Sequence, residues 1–310
     1  MKTPSKILAA VDRSPLALRV VKNAIDLANA TDSELHFLFV KVPYAGPYDK
    51  LVDVHRHLFI REQLKEQHAE SVIVTQSSVD ADEVAPGIVE FARANDCDFI
   101  VMGSHGRRGF RKLMLGSVAL EVMRSASCPV FTIGGKDETE AGHNPMAQIL
   151  IPFDFSDYSL TALEYAARLA EKLNANLDVL HVVEDTFYPA FYGPFMHSVY
   201  ESTPNIEKLV EEKMRRHVED TGFDMRRVVL SVRPGHPGSE IAHYADEKVI
   251  DIIIMATHGL SGLQHLFMGS VTERTAHLAK CPVLTLRPDK ASTEPRDDVE
   301  DVDSENGGVQ

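Results

Sequence analysis

The chain has 310 residues, 44% of them hydrophobic, with 46 acidic against 32 basic side chains for a formal net charge of −14. That balance excludes general nucleic-acid binding, which needs a basic face. Cys97, Cys128 and Cys281 are too few and too scattered for a disulfide framework or a CxxC metal site, and read as core or strand-edge thiols. No apolar run reaches the roughly 18 residues that cross a bilayer, and the opening MKTPSKILAAVDRS lacks a signal-peptide layout, so the expectation is a cytoplasmic chain without a membrane partner.

Short β-rich runs alternate with amphipathic stretches from the start. In chain order the pattern predicts strands at 6–11, 34–40, 71–77, 98–102 and 129–133, with helices at 17–30, 52–70, 84–95 and 117–126 between them. A polar stretch, GGKDETEAGHNPM, follows as a linker. The alternation then resumes, with strands near 148–153, 176–182, 227–232, 251–255 and 282–286 and helices at 159–173, 205–221, 240–248 and 270–279. Runs such as FIVMG and IIIMA are apolar throughout, which suits parallel strands covered on both faces. The tail from Asp289 to Gln310 holds eight acids and two bases and almost no large apolar residue, a composition that predicts disorder and serves solubility.

The second series repeats the first. ILAAVDRS at Ile7 returns as ILIPFDFS at Ile149, LHFLFVKV at Leu35 as LDVLHVVE at Leu177, GSHGRRGFRKLMLGSV at Gly103 as ATHGLSGLQHLFMGSV at Ala256, and CPVFTI at Cys128 as CPVLTL at Cys281. A fixed-order match of this kind means two copies of one folding unit. The offset grows by about eleven residues between the second and third pairs, which places an insertion in the aromatic stretch 185–202 with Phe187, Tyr188, Phe191, Tyr192, Phe195 and Tyr200. The expected architecture is α/β: two tandem doubly wound domains, each a five-stranded, mainly parallel sheet flanked by helices. Residues 1–135 form the first domain, 136–146 the linker, 147–288 the second domain and 289–310 the acidic tail.

In each copy an apolar strand runs through Ser-His-Gly or Thr-His-Gly and, nine residues later, meets Gly-Ser at a helix start. Glycines allow close backbone approach and φ > 0, and a helix start presents free N–H groups, so the pattern favours a phosphate site. Asp12 and Asp154 stand at the carboxyl end of each opening strand, where doubly wound sheets bind ligands, and a carboxylate there can accept from an adenine amino group or ribose hydroxyls. Two plainer readings stay open: the aspartates cap the next helix, and the glycines only make turns. His105 and His258 read as supports of the loop backbone.

Together these residues closely resemble the universal stress protein family in its tandem two-domain form, whose signature is G-x2-G-x9-G-[ST]. The first copy satisfies it with Gly103, Gly106, Gly116 and Ser117; the second has Ala256 in place of the first glycine, then Gly259, Gly269 and Ser270. The resemblance implies a Rossmann-like fold of the adenine nucleotide alpha hydrolase type and binding of ATP, alone or with Mg2+, or of another adenine nucleotide. It implies adenine contacts at Asp12 and Val40 and at Asp154 and Val182, and phosphate contacts extending to Val118 and Val271. It also implies pairing through the last strand, here as an internal pseudo-dimer with a homodimer of the whole chain as an option, and a stress-response role with an unknown protein partner.

The two spacers differ: RRGFRKLML carries Arg107, Arg108, Arg111 and Lys112, whereas LSGLQHLFM has no Lys or Arg, which favours the first loop for a triphosphate unless these cations only form a solvated helix face. The turn after the third strand pulls the other way, Asp80-Ala81-Asp82-Glu83 in the first copy against Gly235-His236-Pro237-Gly238 in the second. No GxxxxGK[ST] loop or kinase set is present, so a nucleotide-dependent regulator is the leading expectation. A slow ATP hydrolase and a nucleotide-independent interaction module remain the alternatives.

Overall fold

Strand β1 (Lys6–Ala10) buries Ile7, Leu8 and Ala9 completely, and its alternating side chains enter two different cores, Ile7 and Ala9 on one face and Leu8 on the other. A strand apolar on both faces must lie inside a sheet with helices above and below. The structure, a computed structural model, describes residues 3–12, 14, 16–43, 60–65, 72–104, 115–134, 146–184, 206–257 and 268–287. After β1 come α1 (Ala17–Thr31), β2 (Glu34–Lys41), β3 (Val74–Asp80), α2 (Val84–Ala94), β4 (Phe99–Gly103), α3 (Ser117–Ser125) and β5 (Val130–Ile133). The second half follows with β6 (Gln148–Pro152), α4 (Asp157–Leu173), β7 (Asn176–Val183), α5 (Ile206–Asp220), β8 (Val228–Pro234), α6 (Pro237–Glu247), β9 (Ile252–Ala256), α7 (Ser270–Leu278) and β10 (Val283–Leu286).

The strands form one ten-stranded sheet in the order β3-β2-β1-β4-β5-β10-β9-β6-β7-β8. Each half is parallel throughout, and the halves meet where β5 and β10 pair antiparallel, Thr132 opposite Val283, Phe131 opposite Leu284 and Val130 opposite Thr285. Threonine hydroxyls clamp this joint reciprocally: Thr132 Oγ1 donates to the Val283 carbonyl at 3.1 Å and Thr285 Oγ1 to the Val130 carbonyl at 3.3 Å. Because the joint is antiparallel, the carboxyl edges of the two half-sheets face opposite ways.

On one face the core is continuous across the joint, running from Ile7, Phe37 and Phe131 to Leu284, Ile151 and Phe153 under α1, α4 and α5. Phe99 and Phe131 meet edge-on at 6.4 Å within it. On the other face each half keeps its own cluster, Leu8, Ile100 and Val130 beneath α2 and α3, and Leu150, Ile253 and Val283 beneath α6 and α7. Met268 and Ala276 of the second half nevertheless pack into the first half's cluster, so this layer is stitched across the joint as well.

Most elements fall where the pattern places them, and the differences have local causes. Strand β3 lies at Val74–Asp80 rather than 71–77, because pairing with β2 carries it through the polar run Thr75 to Ser78, which looks like a turn in an apolar-run reading. Strand β8 likewise runs on to Pro234, preceded by a 3-10 turn at Met225–Arg227 that Asp224 caps. Helix α6 begins three residues early with Pro237 in its first turn, the position where a missing N–H costs nothing, and α4 begins at Asp157 behind the Ser156 cap. Of the helix expected at 52–70, residues 60–65 are described and are helical. The aromatic insertion and the acidic tail lie outside the described residues.

Equivalent buried positions carry different polar pairs. In the first half, His36 Nδ1 bonds Thr75 Oγ1 at 2.6 Å and its ring tilts against Phe91 at 4.9 Å. Burial, and secondarily the Lys6 charge, hold this imidazole below its ordinary range. In the second half the same two positions are Asp178 and Tyr244, and the Tyr244 hydroxyl donates to Asp178 Oδ2 at 2.8 Å. Burial pushes the Asp178 carboxyl up and the Tyr244 phenol up to about 12.

Two stability predictions follow from these details. A group whose folded value is depressed stabilises above its unfolded value and loses that contribution as pH falls, so the fold should weaken on the acid side of about pH 6.5; His36→Gln should flatten that slope in urea titrations at a series of pH values. Val249, 69% exposed, holds φ 53°, a left-handed conformation costly for a β-branched residue, where the equivalent residue of the first half is Asp96 at φ 51°. Val249→Asn should raise stability by about 1 kcal/mol, read as a higher urea midpoint at unchanged slope.

Candidate functional site

The register alone gathers the expected residues at each carboxyl edge. Leu8 pairs with His36 on one side and Ile100 on the other, and four residues further along the three chains stand Asp12, Val40 and Ser104. Leu150 pairs with Asp178 and Ile253, and four residues on stand Asp154, Val182 and Thr257. The ladder extends toward that level through Val11 N–H to the Leu38 carbonyl at 3.0 Å and Phe153 N–H to the Leu180 carbonyl at 2.8 Å. Strand order reverses between β1 and β4, and again between β6 and β9, which is where doubly wound sheets open a crevice.

A short hydrogen-bonded neck then brings a helix start to this level. Ser104 N–H donates to the Ile133 carbonyl at the end of β5, and the Ser104 carbonyl accepts from Gly116 N–H at 2.6 Å. The second half repeats the arrangement, with Thr257 N–H on the Leu286 carbonyl and Gly269 N–H on the Thr257 carbonyl at 2.7 Å. Gly116 and Gly269 are the N-caps of α3 and α7, and no side chain caps either helix. The N–H groups of the first turn, at Ser117 and Val118 and at Ser270 and Val271, therefore lie beside the strand ends, an arrangement that can receive an anion. Val40 and Val118 pack on the first half's α2–α3 cluster, and Val182 and Val271 on its α6–α7 equivalent.

The geometry adds three details about these residues. Gly116 has φ −71° and Gly269 φ −59°, both ordinary for any residue, so neither is glycine for a left-handed backbone. The aspartates do not cap the helices: Asp12 Oδ1 accepts from Ser14 N–H at 2.8 Å, and Asp154 Oδ1 accepts from Ser156 N–H at 3.1 Å and Ser156 Oγ at 2.5 Å. Ser156 itself caps α4, and the N-cap of α1 is Leu16. One carboxylate oxygen thus shapes the turn, while the other makes no hydrogen bond among the described residues. Ala256 closes β9 in the register that Gly103 occupies in β4, and its methyl group joins the continuous core on the α4 face, turned away from α7. Gly106, Gly259, both loop histidines and the four cations of the first spacer lie outside the described residues.

The flanking turns keep their charge contrast. Asp80, Asp82 and Glu83 are exposed at the first edge. A Cβ on Gly87 would fall 2.9 Å from Ala81 Cβ and 3.1 Å from Val40 Cγ1, so α2 presses its glycine onto the site valine. At the second edge Gly235 takes φ 142°, open only to glycine in practice, and His236 holds the N-cap position of α6 without a side-chain bond to it. Arg233 beside it is held by Glu240 at 3.3 Å and Glu247 at 2.7 Å and stacks over Tyr244.

Two features escape the sequence pattern. Phe155, between Asp154 and Ser156, takes φ 64° and packs against Phe153, His181 and His217 with ring centroids 4.9, 5.1 and 6.0 Å away. Only the Asp-x-Ser spacing hinted that x is held in a tight turn. Glu273 places a carboxylate in the first turn of α7, where α3 has none. Among the described residues no group of three or more His, Cys, Asp or Glu side chains is placed to hold a metal ion, and no helix is long and apolar enough to cross a membrane.

Comparison with known proteins identifies the fold and the family. The family described as the universal stress protein family matches residues 4–134 and again 146–287. The chain is 25% identical over 300 residues to a universal stress protein of Mycolicibacterium smegmatis, across 91% of this chain and 97% of that one. It is 32% identical over 157 residues to a universal stress protein of Methanocaldococcus jannaschii, across 48% of this chain and 86% of the relative. The crystal structure of a universal stress protein from Archaeoglobus fulgidus shares the fold with a TM-score of 0.65 at 20% identity, covering 94% of this chain and 98% of that one. With two matched units on one duplicated architecture, the chain belongs to the universal stress protein family in its tandem two-domain form.

Proposed function

We propose that the chain binds ATP or a related adenine nucleotide at the carboxyl edge of each half-sheet and acts as a nucleotide-dependent regulator in the stress response. The observation that carries this reading is the neck: a single backbone bond, Gly116 N–H to the Ser104 carbonyl and its twin from Gly269 to Thr257, fixes an uncapped helix start beside the end of a central strand. The first-turn N–H groups and the hydroxyls of Ser117 and Ser270 serve the phosphates, with the helix dipole adding about 0.3–1 kcal/mol at each terminus. That is well short of the roughly 4 kcal/mol that millimolar binding requires, so the base and sugar must contribute.

Asp12 and Asp154 suit that second task. Each is held by its own turn through one oxygen, which leaves the other oriented without further loss of rotamer freedom to accept from an adenine amino group or a ribose hydroxyl. Val40 and Val182 stand at the same level and supply an apolar wall for the base. Mg2+ enters this reading as the counter-ion of ATP. The Ala256 methyl, directed into the opposite core, does not obstruct the second site. In this reading the β5–β10 joint stands in, within one chain, for pairing between two single-domain copies.

Gly116→Asp and Gly269→Asp test the assignment. Both positions have backbone angles that aspartate adopts freely, and aspartate is itself a good N-cap, so each variant should fold while setting a carboxylate against the phosphates. Each should weaken ATP binding at its own site by at least about tenfold, equivalent to about 1.4 kcal/mol, and lower the nucleotide recovered from purified protein. Unchanged nucleotide content and affinity in both variants would reject these sites, and multiple-turnover release of product would move the assignment to a hydrolase.

A further inference from the structure

The antiparallel joint sets the last turn of α3 against the first turn of α7, and the contact made there is specific to one side. Arg124, in the last turn of α3, reaches Glu273 in the first turn of α7, with Nη2 to Oε2 at 2.9 Å. Arg287, just past β10, fastens the same end of α3 by donating from Nη1 to the Arg124 carbonyl at 2.9 Å. Behind it, Met268, which directly precedes the Gly269 cap, is buried in the first half's core. The pseudo-symmetric contact at the other site lacks these charges: Leu120 takes the place of Glu273 and His277 that of Arg124, and His277 Nδ1 bonds the Glu273 carbonyl at 3.0 Å within its own helix.

A carboxylate in the first turn of a helix is favourable for that helix but competes with any anion brought to the same N–H groups. Glu273 therefore creates a difficulty that its own loop does not solve, since the spacer LSGLQHLFM holds no Lys or Arg, and Arg287 of the second half is engaged with the Arg124 carbonyl. The neighbouring Arg274 donates through Nε to Ser239 Oγ of α6, so it is turned to the other flank.

We infer that Arg124 of the first half is a positioning residue of the second half's nucleotide site, drawing the Glu273 carboxylate aside and neutralising it so that α7 can receive phosphate. The inference rests on the adenine-nucleotide reading above. The second site is then complete only when both halves are present in one sheet, whereas the first needs no such loan. Both side chains are about one-third exposed, so the effect is electrostatic and screened by salt.

The test uses the full chain carrying Gly116→Asp, so that ATP reports the second site, titrated at low and at high ionic strength. Arg124→Gln should lower ATP affinity about threefold to tenfold at low salt, with the difference shrinking as salt rises. Adding Glu273→Gln should restore affinity to the parent value or better, which a merely structural role for Arg124 would not produce. Parent-like affinity of Arg124→Gln, or failure of Glu273→Gln to rescue it, would overturn the inference while leaving the nucleotide reading intact. Absence of ATP binding by the Gly116→Asp parent itself would instead remove the second nucleotide site, and this inference with it.

Discussion

The antiparallel pairing of β5 with β10 is the constraint on which the rest of the molecule depends. Each half supplies only a four-residue strand to it, yet those strands are edge strands until they meet, and an unpaired apolar edge is a liability in water. Pairing satisfies the ladder, adds two threonine bonds and allows one face of both half-sheets to share a single core. The same geometry turns the two carboxyl edges in opposite directions and brings α3 and α7 together head to tail. Duplication has thus produced one continuous sheet rather than two beads on a string.

Within each half the site follows from parallel register. Three adjacent strands advance in step, so Asp12 and Ser104, just past β1 and β4, arrive level with Val40 of β2, and Asp154 and Thr257 arrive level with Val182 of β7. The last residue of β5 or β10 then receives the first loop residue, and that residue receives the helix cap. The joint and the uncapped helix start are consequently linked by consecutive backbone bonds: a strand that builds the interface also ends at the neck.

Much of this was legible in the sequence because the repeat doubles every signal. Apolar runs covered on both faces, such as Phe99 to Met102 and Ile252 to Met255, marked central strands, and the constant glycine spacing marked the loops. The polar edge strand β3 was displaced in that reading because half-exposed edges need few apolar residues, and hydrogen bonding to β2 extended it beyond them. Spacing cannot choose between the two uses of glycine, close backbone approach and φ > 0. At Gly116 and Gly269 the backbone is extended, so what glycine provides there is a cap with no side chain in front of the N–H groups. Phe155 and the Arg124–Glu273 pair were invisible because each depends on a contact between segments remote in sequence or on a backbone angle that no composition encodes.

The halves have diverged where the fold tolerates it. His36 with Phe91 and Asp178 with Tyr244 solve the same buried position with opposite titration behaviour, and the flanking turns differ in charge without disturbing the register. What both halves retain is the neck, the turn-held aspartate and the uncapped helix start, so the account assigns each half its own nucleotide. Native mass spectrometry of the full chain with saturating ATP measures this directly. The expected result is a species carrying two nucleotides per polypeptide; a chain that stays unliganded, or that saturates at one, would contradict a site in each half.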